Sequence, residues 1–198
     1  MNQHLPRPPR SPTQAAEGRP RWRWTLAEFD RFIELGILTK DDKVELIGGE
    51  LVPMSPKGNR HERVRLKLTN WMSRRLPEDL MFLPEPGWRP GGDFYAEPDV
   101  IVATPFDPPQ QVPGREVKLL IEIADSSKDY DLEVKARMYA EIGVAEYWVI
   151  EAPSLATHVH RKRSEDGYGD VKVRKSGSLL KPQLVPDIAI RLTELGLD

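Results

Sequence analysis

Cysteine is absent from all 198 residues. That excludes a disulfide scaffold, thiolate-bound zinc, iron–sulfur clusters and a cysteine nucleophile. Long apolar runs are missing too, since none approaches the ~18–20 residues that cross a bilayer. The opening stretch MNQHLPRPPRSPTQAAEGRP has no apolar segment of the kind a secretory signal needs. The sequence therefore reads as a cytoplasmic protein. A strong net charge is also lacking, the formal value being −2. The balance is uneven, however. Residues 1–24 carry five Arg against Glu17 alone, while the remainder has 24 Lys and Arg against 30 Asp and Glu. A body that is negative overall cannot hold nucleic acid by bulk charge. It needs a local basic patch or a metal ion.

What is present suffices for one domain with its own core. Residues 1–23 read as a disordered Pro- and Arg-rich tail, because they offer too little apolar surface to offset ordering entropy. Residues 24–198 form the domain. Thr25-Leu-Ala-Glu28 is a capping box. It opens a helix whose apolar face is Leu26, Phe29, Phe32 and Ile33, and Gly36 closes it. Val44–Val52 reads as two short strands about Gly48-Gly49. From Gly58 to Leu76 the period is helical, with His61, Val64, Leu68, Trp71 and Met72 on one face. That helix is basic: Arg60, Arg63, Arg65, Lys67, Arg74 and Arg75 stand against Glu62 alone. Short strands are expected near 81–83 and at Trp88, and a longer one over 94–104. Residues 117–124 are apolar enough for a central strand. A helix over 131–142, ended by Gly143, leads to a buried strand over 146–150. Strands near 156–162 and 168–175 and a short strand after Pro182 follow. The order implies an α/β fold, a mixed central sheet flanked by helices with additional antiparallel strands. The unit 117–150 suits a right-handed parallel crossover.

Chemistry enters through misplaced charge. Glu122 is the one acid in Leu-Leu-Ile-Glu-Ile-Ala, and an ionised carboxylate in a central strand costs several kcal/mol, about what a lost buried pair costs, unless something compensates. A cation, a proton or a strand end at solvent would each serve. Asp99 poses the same question just before Val100-Ile-Val102, after a Pro suited to a strand start. If the two strands are neighbours, both acids converge, and hard oxygen ligands favour Mg²⁺, Mn²⁺ or Ca²⁺ over zinc. In the 131–142 helix, Lys135 and Asp131 fall inside the apolar arc of Leu132, Ala136, Met138, Tyr139 and Ile142. Lys135 therefore either snorkels along the sheet or points at the acids. Glu45 is a third acid in an alternating strand, and His61 heads the apolar face of the basic helix. Each of those two reads equally well as a structural residue. Tyr139 and Trp148 read as core.

Six ordered segments carry a resemblance. They are Glu45-Leu-Ile-Gly-Gly-Glu-Leu, Met54-Ser-Pro56 leading to His61, Glu97-Pro-Asp-Val-Ile-Val, Leu120-Ile-Glu-Ile-Ala-Asp-Ser-Ser, Asp131-Leu-Glu-Val-Lys-Ala-Arg-Met-Tyr and Gly143-Val-Ala-Glu-Tyr-Trp-Val-Ile. Together they resemble the Uma-type group of the PD-(D/E)XK restriction-endonuclease-like superfamily over most of residues 24–155. The superfamily's lysine two residues after the acid is missing here, where Ala124 stands. The group supplies it from the next helix, at the position of Lys135, with Lys128 a nearer alternative. The resemblance implies metal-assisted phosphodiester hydrolysis. Asp99, Glu122 and the Ile123 carbonyl would hold Mg²⁺ or Mn²⁺. Lys135 would orient water or offset charge, with Glu45 and His61 assisting. It further implies contacts from Arg60, Arg63, Lys67 and Lys128 to nucleic acid, DNA in the first instance, and a homodimer to cut two strands. Two other readings stay open: a binding module of the same fold without turnover, and a hydrolase of a small phosphodiester.

Overall fold

The computed structural model describes residues 21–39, 41–164 and 166–197. The expected tail therefore lies outside the described residues up to position 20. Residues 21–23 have no regular structure, yet Arg21 pairs with Glu50 at 2.8 Å.

Helix α1 (Leu26–Glu34) starts at the expected capping box: Thr25 Oγ1 accepts from the Glu28 amide and the Glu28 carboxylate accepts from the Thr25 amide. A two-stranded sheet follows, β1 (Val44–Ile47) and β2 (Glu50–Pro53), paired antiparallel through Ile47↔Glu50. Gly48 and Gly49 have φ of 56° and 83°. Positive φ at both central residues is what a tight hairpin turn demands. Helix α2 (Asn59–Ser73) precedes the main sheet of β3 (Met81–Pro84), β4 (Val100–Ala103), β5 (Val117–Ala124), β6 (Tyr147–Glu151), β7 (Thr157–Ser164) and β8 (Gly167–Arg174). Its order is β3-β4-β5-β6-β7-β8, and only β5 and β6 run parallel. Between β5 and β6 lies a continuous helical run: α3 (Lys128–Tyr130), a π turn over Asp131–Lys135, and α4 (Ala136–Ile142).

The six-stranded sheet is buried on both faces at its centre, from β4 to β6, while β8 is largely exposed. Val64, Leu68 and Met72 of α2 join Val100, Val102, Leu119, Ile121 and Ile123 in one layer, which the chain beyond Leu180 extends over Trp148 and Val159. Ala136, Met138 and Tyr139 of α4 join Trp88, Ile101, Leu120 and Tyr147 in the other. Phe29, Leu38 and Leu46 form a small satellite core beneath α1. The expected strand over 94–104 is shorter than its apolar pattern suggested. Trp88 and Ala96 make only an isolated bridge, and regular pairing begins at Val100, after Pro98 has removed a ladder donor. The strand expected after Pro182 is reduced to a bridge between Leu180 and Ile190. The helix expected to begin at Asp131 begins three residues earlier, at Lys128.

Gly114 marks where the 3₁₀ turn before β5 presses on the end of α4. A Cβ there would clash with the Ile142 carbonyl oxygen, a backbone atom that cannot swing aside. Gly114→Ala should therefore destabilise by about 1–3 kcal/mol. Urea unfolding should show a lower midpoint with an unchanged m-value.

Candidate functional site

The two strand-borne acids meet. The last paired residues of β4 and β5 are Val100 and Ile121. One residue further along that antiparallel register places Asp99 opposite Glu122. Both carboxylates are buried, with residue exposures of 2% and 5%. Both line one pocket of about 270 Å³, walled also by Glu45, Lys57, His61, Asp131 and Lys135. A buried pair of acids this close needs positive charge beside it.

The larger part comes from Lys135. Its Nζ donates to Glu122 Oε1 at 2.9 Å and to Glu45 Oε1 at 3.0 Å, with Asp131 Oδ1 4.0 Å away. The amine therefore joins β5, β1 and its own π turn. A π turn holds one more residue per repeat than an α-helical one and recurs at functional sites. Here it carries both Asp131 and Lys135 inward. Tyr139 OH, one turn on, donates to Glu122 Oε1 at 2.7 Å. Tyr139 is thus a core residue, as expected, and also a partner of the acid. Burial would lower the proton affinity of Lys135, but Glu122, Glu45 and Asp131 outweigh it, so its pKa stays above the ordinary value. Three carboxylates around one ammonium leave negative charge in excess. Burial first, and repulsion from Asp99, Asp131 and Glu45 next, push Glu122 up to about 8 despite Lys135. Asp131 rises to about 6, again chiefly through burial.

Asp99 has a different shell. Its Oδ2 accepts from the Ile123 amide at 2.8 Å and faces His61 Nε2 at 3.1 Å, while its Oδ1 accepts from Lys57 Nζ at 3.3 Å. Burial pulls its pKa up, but the His61 contact, Lys57 and the amide outweigh burial and hold it low. The other nitrogen of His61 faces Glu62 Oε1 at 3.2 Å. Only the imidazolium has two N–H donors, so two carboxylates favour the charged ring. Its pKa is raised accordingly: burial opposes the charge and Asp99 overcomes that.

All five residues expected at the site, Asp99, Glu122, Lys135, Glu45 and His61, line this one pocket. Ile123 meets it through its N–H, donated to Asp99. Lys57 escaped the sequence reading although it follows Met54-Ser-Pro56 directly. Its contact with Asp99 comes from a loop, which no periodicity marks. The basic residues divide. Arg60, Arg63 and Lys67 are exposed along α2, whereas Lys128 pairs with Glu151 at 2.7 Å. Arg65 braces Glu85, which also receives Lys57.

Among the described residues no three His, Asp or Glu side chains form a ready-made metal cage. The donor chemistry nonetheless fits a hard ion such as Mg²⁺, which typically takes one or two carboxylates and fills its remaining positions with water and phosphate. Asp99 and Glu122 are two buried carboxylates that face the pocket.

Replacing Lys135 by Met should destabilise the fold by about 3–5 kcal/mol near neutral pH, because it strands buried carboxylates without their cation. Raised carboxyl pKa values mean that the folded protein binds more protons than the unfolded chain. Stability from these groups is therefore present at low pH and lost as pH climbs through about 6 to about 8. Lys135→Met should steepen that loss, with a small penalty at about pH 5 and a large one at about pH 9. Thermal melts across pH check it.

Residues 26–193 match the model of a family, Uma2, described as "putative restriction endonuclease". A crystal structure described as a "putative nuclease belonging to DUF820", from Anabaena variabilis ATCC 29413, aligns with a TM-score of 0.63 over 86% of this chain and 96% of that one, at 16% identity. That likeness concerns the fold, a mixed α/β arrangement. No curated protein matches the chain. With the family model spanning nearly the whole domain, and the acids and lysine drawn together inside it, the chain belongs to the Uma2 family.

Proposed function

We propose that the chain is a metal-dependent nuclease that hydrolyses phosphodiester bonds, in DNA in the first instance, at the Asp99–Glu122 pocket. The observation that carries this reading is the meeting of the two carboxylates at adjacent strand ends with the Lys135 amine 2.9 Å from Glu122. Asp99 and Glu122 would hold Mg²⁺ or Mn²⁺. Such an ion supplies an acidified water and offsets charge on the phosphoryl oxygens.

The protein's own groups do the rest. Lys135, fixed by Glu45 and Glu122, keeps the Glu122 carboxylate aimed and places positive charge where the transition state gains negative charge. Glu45 is itself held by the Glu97 amide at 3.1 Å. His61, charged beside Asp99, carries a proton within reach of a leaving oxygen. Lys57 offers a second cation at the pocket wall. Arg60, Arg63 and Lys67 on α2 would meet the substrate backbone, which makes affinity fall with salt. Cutting both strands needs two such pockets, and a homodimer would supply them.

A second reading rests on Asp99 itself. Both of its oxygens already have partners, Lys57, His61 and the Ile123 amide, and Ala124 stands where a catalytic lysine is usual. A module that binds nucleic acid without turnover accommodates those facts. Incubation with single- and double-stranded DNA and RNA in Mg²⁺ or Mn²⁺ separates the two. Cleavage that drops about 10²–10³-fold in each of Asp99→Ala and Glu122→Ala supports the nuclease. Binding without cleavage supports the module. Cleavage that survives both substitutions would remove this pocket from the chemistry altogether.

A further inference from the structure

The strongest unassigned feature lies at the far edge of the sheet. Residues 157–181 hold seven Lys and Arg against three Asp and Glu, in a domain that is otherwise negative. Beta pairing gathers part of this charge. Arg161 lies opposite Asp170, and Lys172 and Arg174 follow on the same face of β8. The chain then returns with Leu179 and Lys181 to close a cleft of about 160 Å³.

The cations are unequally committed. One Arg161 nitrogen donates to Glu146 and to the Lys181 carbonyl, both at 2.7 Å. Its buried Nε has no partner. Lys172 lies 3.4 Å from Asp170, the cleft's one acid. Among the described residues neither Arg174 nor the Lys181 amine has an ion-pair partner. The cleft therefore carries surplus positive charge held on a rigid frame.

Register relates it to the pocket. Ile123 pairs with Ile150, Ile150 with Thr157, and Thr157 with Arg174. Arg174 thus ends the row that begins at Ile123, on the face of the sheet opposite the Glu122 side chain and at the same end of the strands as the pocket. At about 4.8 Å per strand, three steps make about 14 Å. The acid on the way, Glu151, is matched by Lys128 at 2.7 Å and His158 at 2.8 Å, so it offers no bare negative charge to a passing polyanion.

We propose that the cleft walled by Arg161, Lys172, Arg174 and Lys181 is a second phosphate-binding station, which grips the nucleic-acid backbone across the end of the sheet, starting about four base pairs from the bond presented at the Asp99–Glu122 pocket, at about 3.4 Å of duplex per step. It rests on the nuclease reading and adds a direction: substrate crosses the end of the sheet from the Glu122 face to the Leu180 face on its way towards β8.

The test is binding of a fluorescent DNA duplex of about 20 base pairs, with Ca²⁺ as the divalent ion, across about 50–200 mM salt. Lys172→Gln/Arg174→Gln/Lys181→Gln removes three exposed charges and spares Arg161, which braces Glu146. The affinity should fall about 10–100-fold at low salt, and the slope of log affinity against log salt should shrink by about 2–3. Arg115→Gln/Lys162→Gln/Arg163→Gln removes as many exposed charges outside the cleft and should change the slope by less than about 1. An unchanged slope in the first variant, or an equal loss in the second, overturns the station while leaving cleavage by the wild-type chain to support the pocket. Failure of the wild-type chain both to bind and to cleave overturns the station and the nuclease reading together.

Discussion

One ammonium group holds the candidate site together. Lys135 stands between Glu122 of the central strand and Glu45 of the small hairpin, with Asp131 from its own turn nearby. An interior carboxylate without such a partner would take up a proton or pull its strand towards water. With the amine in place, the acids keep their positions, and the residual imbalance appears as the raised pKa of Glu122. That imbalance is itself informative. The pocket holds more negative charge than its own cations neutralise, which is the condition under which a divalent ion is welcome.

The Asp99 side is built on the opposite principle. Lys57, His61 and a backbone amide surround that carboxylate, so it stays ionised at low cost. The pocket therefore pairs a fully supported acid with an over-crowded one. Such separation of neighbouring carboxyls is how one site offers both a fixed charge and a group that exchanges protons.

Much of this was legible in the chain. Glu122 stood out because it is the one acid in its strand, flanked by Ile121 and Ile123, and Lys135 because a helical wheel placed it among apolar neighbours. The capping box, the Gly48-Gly49 turn and the parallel crossover strands followed from local chemistry. What could not be read was anything set by loops or by tertiary contact. Lys57 lies in a stretch without period. The π turn has no sequence signature, since it differs from an α-helical turn only in which carbonyl each amide chooses. The shortening of the strand before Val100 follows from Pro98, which was visible, but its extent depends on how Trp88 and Ala96 pack. Likewise, Lys128 looked as available as any lysine until Glu151 was found beside it.

The hairpin that carries Glu45 belongs to no strand of the main sheet. It is moored through the Leu46–Tyr95 bridge, the Glu97 amide and the lysine ninety positions later in the chain. During synthesis, which releases the N-terminal parts first, the hairpin emerges long before its mooring exists. The acid centre therefore cannot close until the helix after β5 has emerged, and a fragment cut between residues 53 and 135 keeps the hairpin but lacks the charge that closes the pocket. Whatever chemistry resides there waits on an ammonium that arrives ninety residues after the acid it steadies.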